Sequence, residues 1–331
     1  MKAIIVREFG AAEVMKLEEV PTPEPNENQV LVRIKAAGVN PVDTYVRAGT
    51  YTQKPNLPYT PGKDGAGIVE KVGANVTKFK VGDRVLTADA GSGTYAEFAL
   101  FAEKHLIKLP ENVSFEAGAG VFVTFATAYR ALFQKAKGKA GETVLVHGAS
   151  GGVGIAAIQW AKHAGLRVIG TAGSDEGKKL VKKQGADFVV DHSEVGSRES
   201  GVGSQTTYLA EILEITEGQG VEIILEMLAN VNLQKDFEVL ARFGRISIIG
   251  NRGSLEFNPR AIMGKDASVF GLSLFNAPDA EMEEIHAAIY DGLSLGFLHP
   301  IVGKTFQLEK AVEAHRAVVE EKAFGKIVLK I

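Results

Sequence analysis

The sequence predicts an α/β protein that combines a doubly wound parallel sheet with a mostly antiparallel β domain. Three observations support this prediction. Short β-rich segments separated by glycine fill roughly the first hundred residues, whereas strand-like and helix-like segments alternate from Thr143 onward. A glycine-rich turn joins the first strand and helix of that alternating region. The length of 331 residues, 45% of them hydrophobic, suffices for two domains.

The amino-terminal region is predicted to be a small antiparallel β domain. Its candidate strands are rich in β-branched and aromatic residues and are bounded by glycine, and a proline-rich loop at 21–25 precedes the second of them. They lie at residues 4–6, 30–35, 68–72, 83–86 and 95–99.

The middle of the chain is predicted to form a parallel sheet. Parallel strands require long crossover connections, and each candidate strand here is separated from the next by a helix-like segment. Two helices, at 114–120 and 124–135, precede this region. The strands are expected at 143–147, 167–171, 188–190, 221–226, 245–249 and 268–272, and the helices at 153–164, 175–184, 207–216 and 233–241.

The tail is expected to return to the first domain, because the middle sheet is already complete without it. Helices are predicted at 281–295 and 309–320, and a final strand at 326–329. We therefore expect two domains, one at 1–123 and 274–331 and the other at 124–273. A serine- and glycine-rich stretch at 193–205 predicts a solvated surface loop.

The composition excludes several kinds of chemistry. The chain contains no cysteine, which rules out disulfides, thiolate zinc sites and a cysteine nucleophile. A net charge of −3 gives no reason to expect a polyanionic partner. Residues 1–8 carry charge too early for a signal peptide, and no apolar run reaches the roughly 18 residues of a membrane span. We expect a cytoplasmic protein with no membrane partner.

The strongest functional signal is the glycine-rich turn after the strand predicted at 143–147. Gly148, Gly151 and Gly154 are spaced GxxGxxG, and an alanine-rich helix follows. Glycines let a dinucleotide pyrophosphate approach backbone N–H groups, and a helix amino terminus supplies unpaired donors with partial positive charge. This context predicts a Rossmann-type dinucleotide site. Ser150 is not expected to be a nucleophile, because no GxSxG elbow surrounds it.

The end of the second parallel strand predicts NADPH as the cofactor. An NAD site usually carries Asp or Glu there to bind the ribose 2′-hydroxyl. This chain has the small residues Gly173 and Ser174 instead, which leave room for a 2′-phosphate. Ser174 is expected to cap the next helix and donate to that phosphate, with Lys178 and Lys179 one turn further on. An acidic pair at 175–176 argues for NAD, and each lysine alternatively lies on a solvated helix face.

Several longer segments carry patterns specific to one family. They are the glycine-rich segment from Gly141 through Gln159 and Lys162, GVNPVD at 38–43, PYTPGKDGAG at 58–67, and EMLANVNL at 226–233. Along essentially its whole length, the chain resembles the zinc-free quinone oxidoreductases of the zeta-crystallin group, within the medium-chain dehydrogenase/reductase superfamily. The resemblance implies a Rossmann-type domain joined to a GroES-like catalytic domain.

The resemblance also implies a set of cofactor contacts. Tyr45 is expected to pack on or hydrogen-bond the nicotinamide end, unless it is a core aromatic. His192 and Arg252 follow the third and fifth parallel strands at the carboxyl edge, with a surface histidine and a loop arginine as the alternatives. Helix capping would explain Asn232 equally well. The full set is Tyr45, Ser150, Gly151, Gly152, Val153, Gly154, Gly173, His192, Asn232, Ile249, Gly250, Asn251 and Arg252.

The same resemblance implies an enzyme without a metal. Related alcohol dehydrogenases have a zinc-binding Cys where Asn40 stands and a zinc-binding His where Lys63 stands. Alcohol oxidation is not expected, because no Lewis acid would stabilise the alkoxide. A quinone needs hydride or single electrons from NADPH and little acid catalysis. Asn40 is expected to orient the carboxamide or the acceptor, and Asp43 to order its loop unless it serves only as a turn or cap residue.

Two other functions stay open. Reductases of activated C=C bonds, acting on enones or alkenals, share this scaffold and a similar hydride transfer. A structural or AU-rich RNA-binding role is implied by the zeta-crystallins, but the basic segment at 135–139 contains no interleaved aromatic residue. The resemblance further implies a homo-oligomer, either a dimer or a homotetramer.

Overall fold

The computed structural model describes residues 1–88, 91–192, 208–321 and 324–331. The chain forms two compact units, one of Met1–Thr124 with His286–Ile331 and one of Phe125–Ile285. The expected division into a catalytic domain (1–123, 274–331) and an NADPH-binding domain (124–273) stays a prediction, because compactness does not show which part binds cofactor or acceptor. The loop expected at 193–205 lies outside the described residues.

The first part of the chain consists mainly of short strands. In chain order its elements are β1 (Lys2–Val6), β2 (Met15–Glu19), β3 (Gln29–Val39), α1 (Pro41–Arg47), β4 (Asp64–Val72), β5 (Arg84–Thr87), β6 (Phe98–Ala102), β7 (Leu106–Lys108) and α2 (Phe115–Gly118).

The middle part alternates between helices and strands. It begins with α3 (Thr127–Tyr129), which π-helical turns flank at Phe122–Ala126 and Arg130–Lys135. There follow β8 (Thr143–Val146), α4 (Gly152–His163), β9 (Arg167–Thr171), α5 (Asp175–Lys183), β10 (Phe188–Val190), α6 (Tyr208–Ile215), β11 (Val221–Glu226), α7 (Ala229–Val239), β12 (Leu240–Ile248), α8 (Arg260–Met263) and β13 (Ser268–Gly271).

The last part begins with a long helix and ends in a strand. Its elements are α9 (Asp279–Leu295), β14 (Val302–Gln307), α10 (Ala311–Glu320) and β15 (Lys326–Lys330). No helix in the described ranges is both long enough and apolar enough to cross a membrane.

The first unit contains the expected antiparallel β structure. Its main sheet has the strand order β14-β15-β3-β4-β5-β7, and β6 also pairs with β3. The β14–β15 pair is parallel and the other described pairs of this sheet are antiparallel. The carboxyl-terminal strand lies beside the start of α1, because Ile327 of β15 is opposite Val39 of β3. The tail therefore contributes to the same sheet as the amino-terminal strands.

The second unit is a doubly wound parallel sheet. Its described strands run in the order β10-β9-β8-β11-β12-β13, and every pair is parallel. This is the Rossmann order, in which the chain moves outward from β8 in both directions and leaves a crevice at the carboxyl ends of β8 and β11. All four residues of β8 are buried, as expected for a parallel strand covered on both faces. The predicted fold class is confirmed.

Sequence periodicity misplaced some boundaries. The helix predicted at 233–241 begins at Ala229, and Leu240 already pairs with Val221 in the sheet. The pairing then shifts before Arg245 meets Ile223, so the expected strand begins earlier and is irregular. Five of the labelled elements, β2, α1, β7, α8 and β14, were not predicted. β14 is an edge strand whose residues alternate between exposed and half-buried, which gives little hydrophobic contrast.

Candidate functional site

The glycine-rich turn connects β8 to α4 through three glycines with different tasks. Gly148 has a φ of +55°, in the left-handed region that glycine tolerates best. The N–H of Gly151 donates to the carbonyl of Gly148 at 3.0 Å, which closes the turn. A Cβ on Gly154 would lie 2.5 Å from that carbonyl oxygen and 2.6 Å from Cα of Ala149, so only glycine lets α4 pack against the turn.

Gly151 has the properties that an anion site requires. It is exposed, and a Cβ there would meet only the Gly148 carbonyl oxygen, at 3.3 Å. Gly151 is the N-cap of α4, and no side chain in the described part of the chain caps this helix end. The first N–H groups of α4, including those of Gly152 and Val153, therefore lack a side-chain acceptor and carry the positive end of the helix dipole. The turn fits a dinucleotide pyrophosphate.

Two predicted serines lie on either side of one position in α5. A Cβ added to Gly177 would lie 3.2 Å from Oγ of Ser174 and 3.3 Å from Oγ of Ser150. Ser174 caps α5 by accepting from the Gly177 N–H at 3.3 Å, as expected. Its hydroxyl proton is not used by that bond, so Ser174 can still donate to a phosphate oxygen.

The two lysines of α5 have different surroundings. The ammonium of Lys178 lies 2.9 Å from Oδ2 of Asp191 and 3.0 Å from Oδ1 of Asp175. The hydrogen bonds to these carboxylates raise the pKa of Lys178. Lys179 is exposed. Lys178 is thus held by two carboxylates, one of them from the acidic pair that had argued for NAD, whereas Lys179 projects into solvent.

The segments after β10 and β12 hold the other predicted contacts. His192 is exposed, directly after β10. In the loop after β12, Asn251 Oδ1 accepts from the Asn230 N–H at 3.0 Å, and the Arg252 N–H donates to Asn230 Oδ1 at 2.9 Å. These reciprocal bonds tie this loop to the start of α7. Asn232 donates from Nδ2 to Oε1 of Glu226 at 3.2 Å.

A buried ionic cluster lies next to the glycine-rich turn in the chain. His147 directly precedes Gly148, and its Nε2 lies 2.8 Å from Oδ1 of Asp236 and 3.4 Å from Oε2 of Glu226. All three side chains are almost completely buried. Their donor atoms lie within 4.8 Å of one another, a spacing that could hold a metal ion. Glu226 Oε1 also accepts from the Leu228 N–H.

The cluster shifts the proton affinities of its members. Burial raises the pKa of Glu226 to about 7, and the negative charge of Asp236 adds to this effect while His147 opposes it. Burial disfavours the charged form of His147, but the hydrogen bond and charge of Asp236 outweigh burial and raise its pKa. Near neutral pH, we therefore expect Glu226 to be partly protonated, while Asp236 favours the protonated form of His147.

In the first unit, the predicted residue Asn40 belongs to a second buried network. Its Nδ2 donates to Oδ2 of Asp64 at 3.0 Å, and its Oδ1 accepts from the ammonium of Lys326. The same ammonium lies 2.7 Å from Asp64 Oδ2. Asp64 Oδ1 accepts from the Val123 N–H at 2.9 Å. The side chain of Asn40 is therefore fixed at both ends.

Asp43 is the buried acid of α1. Its Oδ2 accepts from the Asn40 N–H at 2.9 Å, the capping bond that orders the start of the helix. Burial raises the pKa of Asp43 to about 6, although this bond and the charge of Lys326 act in the opposite direction. This bond is that of a helix-capping residue, the alternative that the sequence left open, so a role of Asp43 in the reaction stays a prediction. The sequence did not indicate the raised pKa of Asp43. Tyr45, on the same helix, is half-buried.

A cavity of about 650 Å³ lies within the first unit, next to α1. Its walls include flat apolar and aromatic groups and three charged side chains. Among the lining residues are Asp43, Tyr51, Lys54, Pro58, Tyr59 and Lys63. Its size and flat walls suit a planar organic molecule.

The sequence missed both buried networks. Glu226 stands at the carboxyl end of a buried apolar strand, which is a recognisable signal for a polar residue at the crevice. Lys326 gave no such signal, because a lysine at the start of a strand is ordinarily solvated. Only the pairing of β15 with β3 brings Lys326 next to Asn40.

Comparison with known proteins agrees with this architecture. The alcohol dehydrogenase GroES-like domain model matches residues 26–111, and the zinc-binding dehydrogenase model matches residues 152–290. The quinone oxidoreductase of Homo sapiens is 47% identical over 331 residues, covering 99% of this chain and 97% of that protein. A 2-haloacrylate reductase from a Burkholderia species is 32% identical, covering 99% of this chain and 98% of the relative.

A solved structure is similar to this chain over its full length. The Escherichia coli quinone oxidoreductase, determined in complex with NADPH, superposes with a TM-score of 0.86 at 29% identity and with full coverage of both chains. Fold, glycine-rich site and full-length similarity together define an oxidoreductase of the medium-chain dehydrogenase/reductase class. Within that class, the chain belongs to the quinone oxidoreductase family.

Proposed function

We propose that this protein is an NADPH-dependent quinone reductase that works without zinc. The observation that carries the proposal is the turn at Gly151, an exposed helix amino terminus that no side chain of the described residues caps. When bound, NADPH supplies the hydride or the single electrons. The NADPH complex of the Escherichia coli relative supports this choice of cofactor.

Different residues of the second unit are proposed to bind different groups of the cofactor. The N–H groups at the start of α4 bind the pyrophosphate, with Ser150 beside them. Ser174 donates to the 2′-phosphate, and Lys179 contributes positive charge close by. The remaining assignments, to Gly173, His192, Asn232 and 249–252, stay predictions. The assignment of Lys178 to the cofactor also stays a prediction, and its two carboxylate partners neutralise part of the positive charge that it could present to a phosphate.

The acceptor is proposed to bind in the cavity of the first unit. Its planar walls favour a flat quinone over a small alcohol. Asp43 borders the cavity and supplies a carboxyl group that can hold a proton near pH 6. The amide of Asn40 is oriented by Asp64 and Lys326, which fixes whichever contact it makes. The expected roles of Asn40, Asp43 and Tyr45 stay proposals.

Zinc independence is supported by the donor set around Asn40. Its amide oxygen accepts from the ammonium of Lys326, whose positive charge would repel a divalent cation at that position. Lys63, in place of a histidine, carries a further positive charge nearby. Zinc prefers thiolate, imidazole and carboxylate donors. The carboxylate of Asp64 is already bound by Lys326, Asn40 and the Val123 N–H, and the remaining groups, a neutral amide and two ammonium groups, are poor ligands for zinc.

The test is NADPH oxidation, followed by its absorbance, with a panel of quinones, enones and simple alcohols or aldehydes. We expect reduction of the quinones and none of the alcohol dehydrogenase reactions. Failure of every quinone, with NADPH bound normally, would contradict the proposal.

A second candidate function is the reduction of activated C=C bonds. The similarity to a 2-haloacrylate reductase favours it, because that relative acts on such a bond by its name. The same panel separates the two functions through the ratio of kcat/KM for enones to that for quinones.

We also propose a homo-oligomer, either a dimer or a tetramer. The edge strand β13 supports this, because Val269 and Phe270 are only half-buried there and the strand pairs only with β12 among the described strands. Sedimentation of the purified protein tests it. A cytoplasmic location and an RNA partner stay predictions.

A further inference from the structure

We propose that Lys326, at the start of the last strand, is a positioning residue for the reaction, whose buried ammonium group fixes Asn40 and, through it, the amino terminus of α1. The inference rests on the proposed quinone reduction. It adds a residue of the last strand to a site whose proposed catalytic residues, Asn40, Asp43 and Tyr45, belong to α1 and its N-cap.

The ammonium of Lys326 is held in a closed set of contacts. It binds Asp64 Oδ2 at 2.7 Å and Asn40 Oδ1, and Asn40 Nδ2 binds the same Asp64 oxygen at 3.0 Å. Lys326 is 5% exposed, Asn40 2% and Asp64 0%. Each member of this triangle touches the other two, so none can change its rotamer alone.

The space for the lysine stem is provided by two glycines. A Cβ on Gly38 would lie 2.9 Å from Cε of Lys326, and one on Gly120 would lie 3.2 Å from its Cγ. The stem therefore lies in a groove between β3 and the segment after α2. A lysine is among the residues least often buried, and this one is enclosed along its length.

Stability alone does not account for this ion pair. Desolvation of two charges offsets most of their attraction, and apolar replacements of similar volume are often as stable. The ion pair fixes the orientation of the Asn40 side chain, and it places a positive charge at a fixed position near Asp43. Asn40 is held in place by these contacts, and its backbone N–H in turn donates to Asp43 Oδ2 at 2.9 Å.

The charge acts on Asp43, which borders the cavity. The groups that act on this carboxyl are Lys326 and Lys63, which favour its ionised form, and Asp64, which opposes it. Tyr95 also contacts it, and Tyr59 lies close enough to interact with its charge. Without Lys326, the negative charge of Asp64 is uncompensated, and we expect the pKa of Asp43 to rise.

The experiment compares four variants of the full-length protein with 1,4-naphthoquinone as the acceptor. Lys326→Met removes the charge and keeps the stem. Lys326→Met with Asp64→Asn removes both charges, so no unpaired carboxylate is left buried. Lys326→Arg keeps a positive charge at this position. Lys330→Met is the matched control, because Lys330 lies on the same strand with an exposed ammonium 3.3 Å from Glu116.

We expect kcat to fall about tenfold or more in both Lys326→Met proteins. The kcat of Lys326→Arg should lie closer to that of the wild type. The Kd for NADPH should stay within about twofold of the wild-type value, because the cofactor residues of the second unit are unchanged. The acid limb of the pH–rate profile should move up by about one pH unit in Lys326→Met. Lys330→Met should resemble the wild type throughout.

Two outcomes would overturn the assignment. One is a neutral double variant that is as stable as the wild type and has its kcat and pH profile. The other is loss of the native fold in every Lys326 variant, arginine included, which would assign Lys326 to folding alone. A wild-type protein that binds NADPH but reduces no quinone would instead refute the proposed function.

Discussion

The imidazole Nε2 of His147 lies 2.8 Å from Oδ1 of Asp236, in the interior of the second unit. Glu226, 3.4 Å from the same nitrogen, is the third member of this cluster. Two carboxylate oxygens, Oε2 of Glu226 and Oδ2 of Asp236, are buried and have no hydrogen-bond partner among the residues that the structure describes. A proton on Glu226 would relieve both the repulsion between the acids and their lack of donors.

We predict that Glu226→Gln removes part of the pH dependence of stability. The folded-state pKa of Glu226 is raised to about 7 from an ordinary value of 4.5, so its proton stabilises the folded state fully below pH 4.5. That contribution is lost as the pH rises through 7. The amide is neutral at every pH. Above pH 8, the free energy of unfolding of the variant should therefore exceed that of the wild type by about 1–3 kcal/mol.

Urea unfolding at several pH values, followed through Trp160, measures this difference. Trp160 is the single tryptophan of the sequence and is buried in the second unit. Asp236→Asn is the contrasting variant, because it removes the direct partner of His147 and should destabilise the protein at every pH. Parallel pH curves for Glu226→Gln and the wild type would contradict the prediction.

Replacement of Gly151 by Val should weaken NADPH binding by at least about tenfold, or about 1.4 kcal/mol. The added side chain enters the space assigned to the pyrophosphate, while its Cβ meets only the Gly148 carbonyl oxygen, at 3.3 Å. The fold should survive. Fluorescence titration with NADPH and thermal unfolding of the same protein check both parts.

Gly154→Ala is the matched comparison for Gly151→Val. Its Cβ would lie within 2.7 Å of three backbone atoms of the turn, so we expect a lower Tm as well as weaker binding. A well-folded Gly151→Val protein with a normal Kd for NADPH would show that the turn is not the cofactor site.

The wild type should bind NADPH more tightly than NADH, and Ser174→Asp should reduce or reverse this preference. The new carboxylate would repel the 2′-phosphate and offer an acceptor to the ribose 2′-hydroxyl. Ser174→Asn keeps a helix-capping side chain of the same shape without the charge, and should retain most of the preference. Equal Kd values for the two cofactors in the wild type would refute the assignment.

Removal of metal should not affect the reaction. After dialysis against a strong chelator, quinone reduction should continue at its original rate, because Asn40 and Lys63 occupy the positions of the zinc ligands of related alcohol dehydrogenases. Elemental analysis before and after dialysis is the control. One zinc per chain, with activity lost on its removal, would overturn zinc independence.

The sequence by itself determined the fold class, the glycine-rich turn between β8 and α4, and the chemistry that a chain without cysteine cannot perform. These features depend on local patterns. Strand and helix periodicity are set by neighbouring residues, and a turn such as Gly148–Gly154 needs glycine for backbone reasons that hold within one segment. The small residues at Gly173 and Ser174 are likewise read from a single strand end.

Only the tertiary structure decided which polar side chains are buried together. Lys326 meets Asn40 across 286 residues, through the pairing of β15 with β3, and His147 meets Asp236 across 89 residues, between β8 and α7. In sequence each looks like an ordinary charged or polar residue near a strand end. Burial and proximity give these groups their altered proton affinities and fixed directions, because charge interactions depend on distance and solvent exclusion, which no local pattern records.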